Sequence, residues 1–175
     1  MTGVEHPVLL VDGHGESVQA AFVVVQGLPH SQCRLTLKYS GGEITGEAFD
    51  YFEAICQIRN ELDAIGYRPM CYGASRNVYP SGMGRDMGRG LKAYRLRLGQ
   101  QPAMSDLVNI FDVGPDVEPA SVKDQREFWK SWWKSTVWAT IRRHSPSAMA
   151  RCRTAPSENT STPAWSSGTA RQLAR

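Results

Sequence analysis

Three arginines in a glycine-rich segment, Arg76, Arg85 and Arg89, are the residues of this chain whose chemistry is easiest to name. Glycine lets the backbone approach a ligand closely and expose its N–H groups, and guanidinium groups add charge and paired hydrogen-bond donors. Residues of these types in one segment can bind an anion. The segment runs from Tyr72 to Tyr94, and its five glycines are Gly73, Gly82, Gly84, Gly88 and Gly90. Because long ordered loops inside domains are uncommon and often functional, we expect the functional surface here.

The glycine spacing excludes the common nucleotide-binding loops. Gly82, Gly84 and Gly88 give GxGxxxG, which differs by one residue from the dinucleotide fingerprint, and the P-loop pattern GxxxxGK[ST] is absent. An anion site of looser form stays open, with the three arginines as a clamp. Arg85 and Arg89 are four residues apart and share a face if Ser81–Gly88 forms a helical turn.

A purely structural role explains the same segment equally well. Asp86 can neutralise Arg85 or Arg89, and Ser75 and Asn77 are residues that cap turns. In that interpretation the segment is an ordered Ω-loop held to the body by four large side chains. These are Tyr79, Pro80, Met83 and Met87.

If the loop is a binding site, its contact residues come from both its polar and its apolar members. We predict that a ligand or a protein partner contacts Ser75, Arg76, Asn77, Tyr79, Ser81, Gly82, Met83, Arg85, Asp86 and Arg89.

Catalysis finds little support in the sequence. The four histidines are isolated, and no HExxH, GxSxG, DxD or paired-carboxylate pattern is present. Cys71 precedes the loop, but its nearest basic neighbours are arginines, which cannot act as the base; a histidine would have to reach it through the fold. The four cysteines occur singly, which favours buried thiols over a metal site or disulfides. We predict no catalytic residue, no metal and no cofactor, and the sequence favours a protein that is not an enzyme.

Charge is concentrated in two parts of the chain. Arg68 to Arg97 contains six arginines and one lysine against a single acid, Asp86, in a body that is mildly acidic. From Val137 to Arg175 there are six arginines and one acid in a context rich in Ser, Thr, Ala and Pro. We predict a domain over residues 1–136 and a disordered basic tail over 137–175. Such a tail can bind nucleic acid, although a shifted reading frame would give the same composition, so no function is assigned to it.

Periodicity predicts an α+β fold, with a mostly antiparallel sheet packed by two helices. Apolar or alternating runs at Val8–Val11, Ala20–Val25 and Cys33–Tyr39 predict strands, and Gly41-Gly42 predicts a hairpin. Apolar residues from Ala48 to Ile65 are spaced by three or four, which predicts an amphipathic helix with Gly66 as its C-cap. Further strands are predicted at Pro69–Tyr72, Leu91–Leu98 and Leu107–Phe111. In Leu91–Leu98 we expect Tyr94, Leu96 and Leu98 on the inner face and two arginines outside.

A second helix is predicted after Ser121, which is followed by Asp124 at the spacing of a capping box. Its aromatic residues are Phe128, Trp129, Trp132 and Trp133. We expect this wide apolar face to pack on the sheet, and it is also wide enough to serve a second copy of the chain.

The chain has no run near the ~18 apolar residues of a membrane-spanning helix, and its first residues are acidic rather than basic as in a signal peptide. We therefore expect a cytoplasmic protein without membrane association.

The run CYGASRNVYPSGMGRDMGRGLKAYRLRLG, together with YFEAICQIRNEL before it and LVNIFDVGPDVEPASVKDQREFWKSWW after it, resembles a group of small uncharacterised bacterial proteins. The similarity covers roughly Leu35 to Lys134. It implies that the body is a complete domain and that such proteins end soon after the tryptophan helix. The group has no established activity, so the resemblance implies no site residues.

Our leading hypothesis is a non-catalytic module that binds a protein partner, in the manner of an immunity or accessory protein. The alternative is a binder of a phosphate-bearing ligand, or an enzyme acting on one, through the arginines of the loop.

Overall fold

The computed structural model describes residues 3–25 and 32–144. Within these ranges the fold is α+β, with mostly antiparallel strands, as predicted. The strands are β1 (Gly3–Asp12), β2 (Ser17–Val25), β3 (Cys33–Tyr39), β4 (Gly42–Ala48), β5 (Tyr67–Pro69), β6 (Val78–Tyr79), β7 (Lys92–Arg95) and β8 (Leu107–Asn109). The α-helices are α1 (Tyr51–Ala64), α2 (Gly82–Asp86) and α3 (Val122–His144). Turns of 3₁₀-helix occur at Tyr72–Ala74 and Met104–Asp106.

The larger sheet has the strand order β4-β3-β2-β1-β5, and its strand pairs are antiparallel. The predicted hairpin is present at Gly41-Gly42, where β3 returns as β4, and β1 also returns as β2 through the turn after Asp12. Because side chains along a strand alternate between the two faces of the sheet, Leu10, Phe22 and Leu35 lie on one face, where each is fully buried. Burial of such side chains contributes about 2 kcal/mol each, so this face forms the centre of the core.

Helix α1 covers the buried face of the sheet. Its stripe of Phe52, Ile55, Ile58 and Leu62 is buried as predicted, but Ile65, the last residue of the predicted stripe, is 51% exposed. Ile65 is the C-cap, and Gly66, predicted for that position, follows it with φ of +83°. The N-cap of α1 is Asp50, whose carboxylate accepts a hydrogen bond from the Glu53 N–H at 2.7 Å. This N-cap fixes where the chain leaves the sheet and where the first turn of α1 meets the loop.

A smaller sheet, in the order β6-β7-β8, carries the second half of the chain. The strand predicted at Pro69–Tyr72 is instead β5, which pairs with β1, and the chain then enters a 3₁₀ turn. The predicted strand Leu91–Leu98 is shortened to β7. Its expected inner face is wrong, because Ala93 is the buried residue of β7 and Tyr94 is only half-buried. Leu96 is buried as expected, but Leu98 is 56% exposed because Gly99 turns the chain with φ of +73°.

Helix α3 begins after Ser121, whose side chain accepts from the Asp124 N–H at 3.1 Å. Its aromatic face packs on the body: Trp132 is buried and donates from Nε1 to the Gln100 carbonyl at 2.8 Å. The helix continues to His144, past the predicted boundary at residue 136, since the sequence holds no Gly or Pro before Pro146. Most of the predicted tail, residues 145–175, lies outside the described residues. No helix in the described part of the chain is long and apolar enough to cross a membrane.

Candidate functional site

The loop over residues 75–90 is an ordered segment with its own secondary structure. It contains β6 and, after Pro80, the short helix α2. Ser81 caps α2 by accepting from the Gly84 N–H at 3.0 Å, and the Gly90 N–H donates back to the Gly84 carbonyl at 2.9 Å. The Arg89 carbonyl accepts from the Tyr51 N–H at 2.9 Å, which ties the end of the loop to the start of α1. The loop is therefore held at several points along its backbone.

Two predicted contact residues, Ser75 and Asn77, lie at the base of the loop, where their hydrogen bonds stabilise its conformation. Ser75 is fully buried; its hydroxyl donates to Asn77 Oδ1 and accepts from the Glu118 N–H, both at 3.0 Å. The Asn77 carbonyl accepts from the Leu96 N–H at 2.7 Å. These contacts join the loop to the residue that follows β7 and to the segment that precedes α3.

Beneath this base lies a buried polar cluster that the sequence did not reveal. Gln125 of α3 donates from Nε2 to the carbonyls of Gly73, Ser75 and Val78 at 3.2, 2.7 and 2.9 Å. Its Oε1 accepts from Arg59 of α1 at 2.5 Å, and Arg59 also donates to the Gly73 carbonyl. Both side chains are almost completely buried. A signal for Arg59 was available, because it lies four residues after Ile55 and three before Leu62, on the buried face of α1.

Arg85, a member of the predicted anion clamp, is bound to carboxylates of the body. Its Nε lies 2.6 Å from Asp50 Oδ2 and its Nη2 lies 3.0 Å from Glu53 Oε2. Glu53 in turn pairs with Arg126 of α3 at 3.1 Å. The acid partners of Arg85 are thus Asp50 and Glu53 rather than Asp86. Arg85 connects α2 to the first turn of α1.

The other two arginines of the loop have separate surroundings. Arg76 is exposed, and its guanidinium carbon lies 5.2 Å from the centre of the Phe128 ring. The guanidinium of Arg89 lies 5.2 Å from the centre of the Tyr51 ring and donates to the Gln32 carbonyl at 2.7 Å. Each of the three predicted clamp arginines therefore contacts different groups.

Acids from other elements also neutralise the basic strand after the loop. Arg95 pairs with Asp116 and Arg97 with Asp106, each at 3.0 Å. The Asp116 carboxylate also accepts from the Tyr72 hydroxyl at 2.7 Å. These hydrogen bonds, first from Tyr72 and then from Arg95, lower the pKa of Asp116. The cluster of positive charge in the sequence is therefore not a continuous positive surface in the fold.

Tyr79 is a packing residue of the loop. Its ring stacks on Trp129 of α3, with centroids 5.0 Å apart, and meets the edge of Phe52 at 5.2 Å. Burial is the main cause that raises the pKa of its hydroxyl. Tyr79 therefore contributes to the junction of α1, β6 and α3.

Met83 and Met87 do not hold the loop to the body, contrary to the structural interpretation of the sequence. They are 73% and 75% exposed. Because α2 is short and its backbone is fixed by Ser81, Gly90 and Arg85, the methionines point away from the core. Residues four apart lie on the same side of a helical turn, so the two side chains form one small apolar surface, which we call the methionine surface. Gly82 and Asp86, also predicted contact residues, are exposed on the same short helix.

A cleft of about 420 Å³ opens beside Arg89, on the side of the loop that faces the larger sheet. Val4, Val24, Leu91 and Phe111 form its apolar walls. His6, Tyr51, Arg89 and Asn109 add the polar groups. The sequence did not predict this cleft, because its residues come from both sheets and from the start of α1.

A larger cavity of about 680 Å³ lies between the β1–β2 turn and the end of α1. Asp12 and His14 of the turn line it, together with Asp63 and Arg68, which pair with each other at 3.2 Å. The Asp12 carboxylate accepts from the His14 N–H, as expected for an Asp-initiated turn. The polar groups of the turn and of the ion pair that line this cavity therefore already have partners within the protein.

Cys71 is fully buried beside the loop, and burial raises the pKa of its thiol to about 11. A thiol with this pKa is almost entirely protonated at neutral pH, so Cys71 is a poor nucleophile. Among the described residues, no group of three or more His, Cys, Asp or Glu side chains is arranged to hold a metal ion.

Comparison with protein-family models and with curated proteins gives no match. The resemblance to a group of small bacterial proteins remains an interpretation of the residues quoted above.

Proposed function

We propose that this protein is a non-catalytic bacterial module, acting in the cytoplasm, that binds a protein partner through the methionine surface of α2. The observation that carries the proposal is the exposure of two large apolar side chains, Met83 and Met87, on a backbone that is held in place. Exposed apolar groups contribute most to binding when they are already ordered, since association then costs little conformational entropy. Methionine also adapts its shape to a partner surface.

The contacts of Arg85 explain why the methionines stay exposed. Its ion pairs with Asp50 and Glu53 fix α2 against α1, and the Ser81 cap fixes the first residues of α2. If α2 were loosely attached, the methionines could turn inward and bury apolar area. The fixed position of α2 prevents this and supports a role in partner binding, as in an immunity or accessory protein.

The alternative, a phosphate-binding clamp of Arg76, Arg85 and Arg89, has less support. A dianionic phosphate needs several positive groups directed at one point. Here Arg85 is neutralised by two carboxylates, and Arg76 packs on Phe128. A dimer through α3 would use Trp133 and Val137, which are 57% and 40% exposed, because Trp132 is buried within the chain.

Site-specific crosslinking followed by reconstitution tests the methionine surface. A photo-reactive amino acid at position 83 or 87 should crosslink to one protein in cells of the source bacterium. Position 104 is the matched control, since Met104 is also 75% exposed but lies in a different loop. The gene next to this one supplies the first purified candidate; a toxin gene there would favour an immunity role.

Titration calorimetry with the purified partner then measures affinity. We expect Met83→Glu and Met87→Glu to weaken binding of the partner at least tenfold without lowering the melting temperature. Met104→Glu should change the affinity for the partner less than twofold. The proposal is wrong if the three substitutions act alike, or if no protein that crosslinks at 83 or 87 binds after purification.

A further inference from the structure

We propose that the cleft beside Arg89 binds a small organic monocarboxylate with an apolar body. The cleft has about 420 Å³ of space, within the usual range of small-molecule sites. It is distinct from the methionine surface and would operate whether or not α2 binds a protein.

Arg89 adopts an unusual backbone conformation at the rim of this cleft. Its φ is +51°, and among the described residues it is the one non-glycine residue with positive φ. This conformation is unfavourable for a residue with a Cβ atom, and such strain concentrates at binding sites. A glycine or asparagine would fit the same backbone more easily. The arginine side chain therefore occupies a place where the fold alone would favour another residue.

The guanidinium of Arg89 has unused hydrogen-bonding capacity. Nη2 donates to the Gln32 carbonyl at 2.7 Å, whereas Nε is buried and has no partner in the described part of the chain. No carboxylate in that part forms an ion pair with Arg89, in contrast to Arg85, Arg95 and Arg97. The stacking of Arg89 over Tyr51, at 5.2 Å, holds the guanidinium plane in place. An unpaired and oriented guanidinium is suited to a carboxylate.

Two further polar residues extend the site. Asn109 accepts from the Phe111 N–H through Oδ1 at 3.0 Å, which leaves its amide nitrogen as a donor without a partner among the described residues. His6 stacks on the Phe111 ring, with centroids 4.4 Å apart and planes 15° from parallel. Donors and one positive charge thus share the cleft, and none of its described lining residues is acidic.

The charge and the walls together define the ligand class. A single guanidinium balances one negative charge, so a monocarboxylate fits better than a phosphate dianion. The remaining walls, Val4, Val24, Leu91 and the Phe111 ring, are apolar and favour a hydrocarbon or aromatic body attached to the carboxylate.

Calorimetry and amide NMR shifts test the proposal on the full chain, with phenylacetate, hexanoate, acetate and inorganic phosphate as probes. We expect saturable binding of phenylacetate or hexanoate, at least tenfold weaker binding of acetate, and shifts centred on Leu91, Asn109 and Phe111. Absence of saturable binding by both larger carboxylates would overturn the proposal. Tighter binding of phosphate, or shifts confined to other regions, would also overturn it.

Two substitutions at position 89 separate binding from folding. Arg89→Asn removes the guanidinium and suits the positive φ, so we expect the melting temperature to be maintained while carboxylate affinity falls at least tenfold. Arg89→Lys keeps the charge but loses the paired donors, and we expect a smaller loss of affinity. The matched control is Arg76→Asn, which removes another arginine of the loop and should leave affinity within twofold. Equal affinities in wild type and Arg89→Asn would exclude Arg89 as the binding residue.

Discussion

Replacing Arg85 by alanine should strongly destabilise the protein, because Arg85 balances a carboxylate that water cannot reach. Asp50 is fully buried, and its Oδ2 accepts from Arg85 at 2.6 Å while its Oδ1 serves as the N-cap of α1. In Arg85→Ala, Oδ2 would lose this partner while remaining buried. The same substitution would remove the contact between α2 and Glu53.

The expected cost follows from the burial of the two partners. Removing one member of a buried ion pair costs about 3–5 kcal/mol of unfolding free energy. The Arg85 side chain is 31% exposed, so water can partly replace it and reduce the penalty. We therefore expect a loss of about 2–3 kcal/mol.

Urea unfolding, followed by tryptophan fluorescence and by circular dichroism, measures this loss; coincident curves would support a two-state analysis. Arg76→Ala is the control, because it removes an arginine of the same loop that contacts the Phe128 ring and forms no ion pair within the described part of the chain. It should cost less than about 1 kcal/mol. Asp50→Asn keeps an acceptor for the Glu53 N–H, and in combination with Arg85→Ala it completes a double-mutant cycle with an expected coupling of about 1–3 kcal/mol.

A small effect would refute this reasoning. If Arg85→Ala costs no more than Arg76→Ala, or if the cycle gives no coupling, the ion pair does not hold α2 in place. Arg85 would then be available to bind an anion, and the phosphate clamp would regain support.

Two further predictions concern the base of the loop and its acid stability. Gln125→Ala should lower the unfolding free energy by about 3–5 kcal/mol, because three buried carbonyls and Arg59 lose a hydrogen-bond partner. Urea unfolding measures this loss, and Lys123→Ala, which changes an exposed residue of the same helix, is the control. The lowered pKa of Asp116 predicts that its contribution to stability is present above the ordinary Asp pKa of about 4 and is lost as the pH falls through the lower native value. Melting temperatures from pH 6 to pH 2 should therefore fall less steeply in Asp116→Asn than in wild type, and a parallel decline in both proteins would contradict the assignment.

Periodicity predicted the parts of the fold whose contacts follow directly from local sequence. The stripe of α1 identified its buried face, and Gly66 marked its end, because a helix of that length must bury an apolar side and glycine adopts a positive φ easily. The hairpin at Gly41-Gly42 was equally visible. The lengths of β5 and β7 were not predictable from the sequence, because the length of such a short strand depends on the strand with which it pairs.

The charges of the loop show what local sequence could not predict. Counting residues near Arg85 gave a strongly positive segment, yet its neutralising partner Asp50 is 35 residues away in sequence. Arg95 is likewise paired with Asp116, 21 residues away. The net charge of a sequence window predicts the charge of the folded surface only when acidic residues from other elements do not pair with its basic residues. The same limitation concealed Gln125, which contacts the loop across about 50 residues.

The first turn of α1 supports both proposed surfaces, and this determines how they can be tested. Asp50 binds Arg85 and so fixes the helix that presents the methionines, while the Tyr51 N–H binds the Arg89 carbonyl and its ring lies beside the Arg89 guanidinium. A substitution at Asp50 would loosen the first turn of α1, on which both surfaces depend, and would therefore distinguish neither function. Met83→Glu and Arg89→Asn instead change one side chain of each surface and leave the residues of the first turn of α1 unchanged. If each abolishes one binding activity and preserves the other, the two surfaces act independently on one rigid loop.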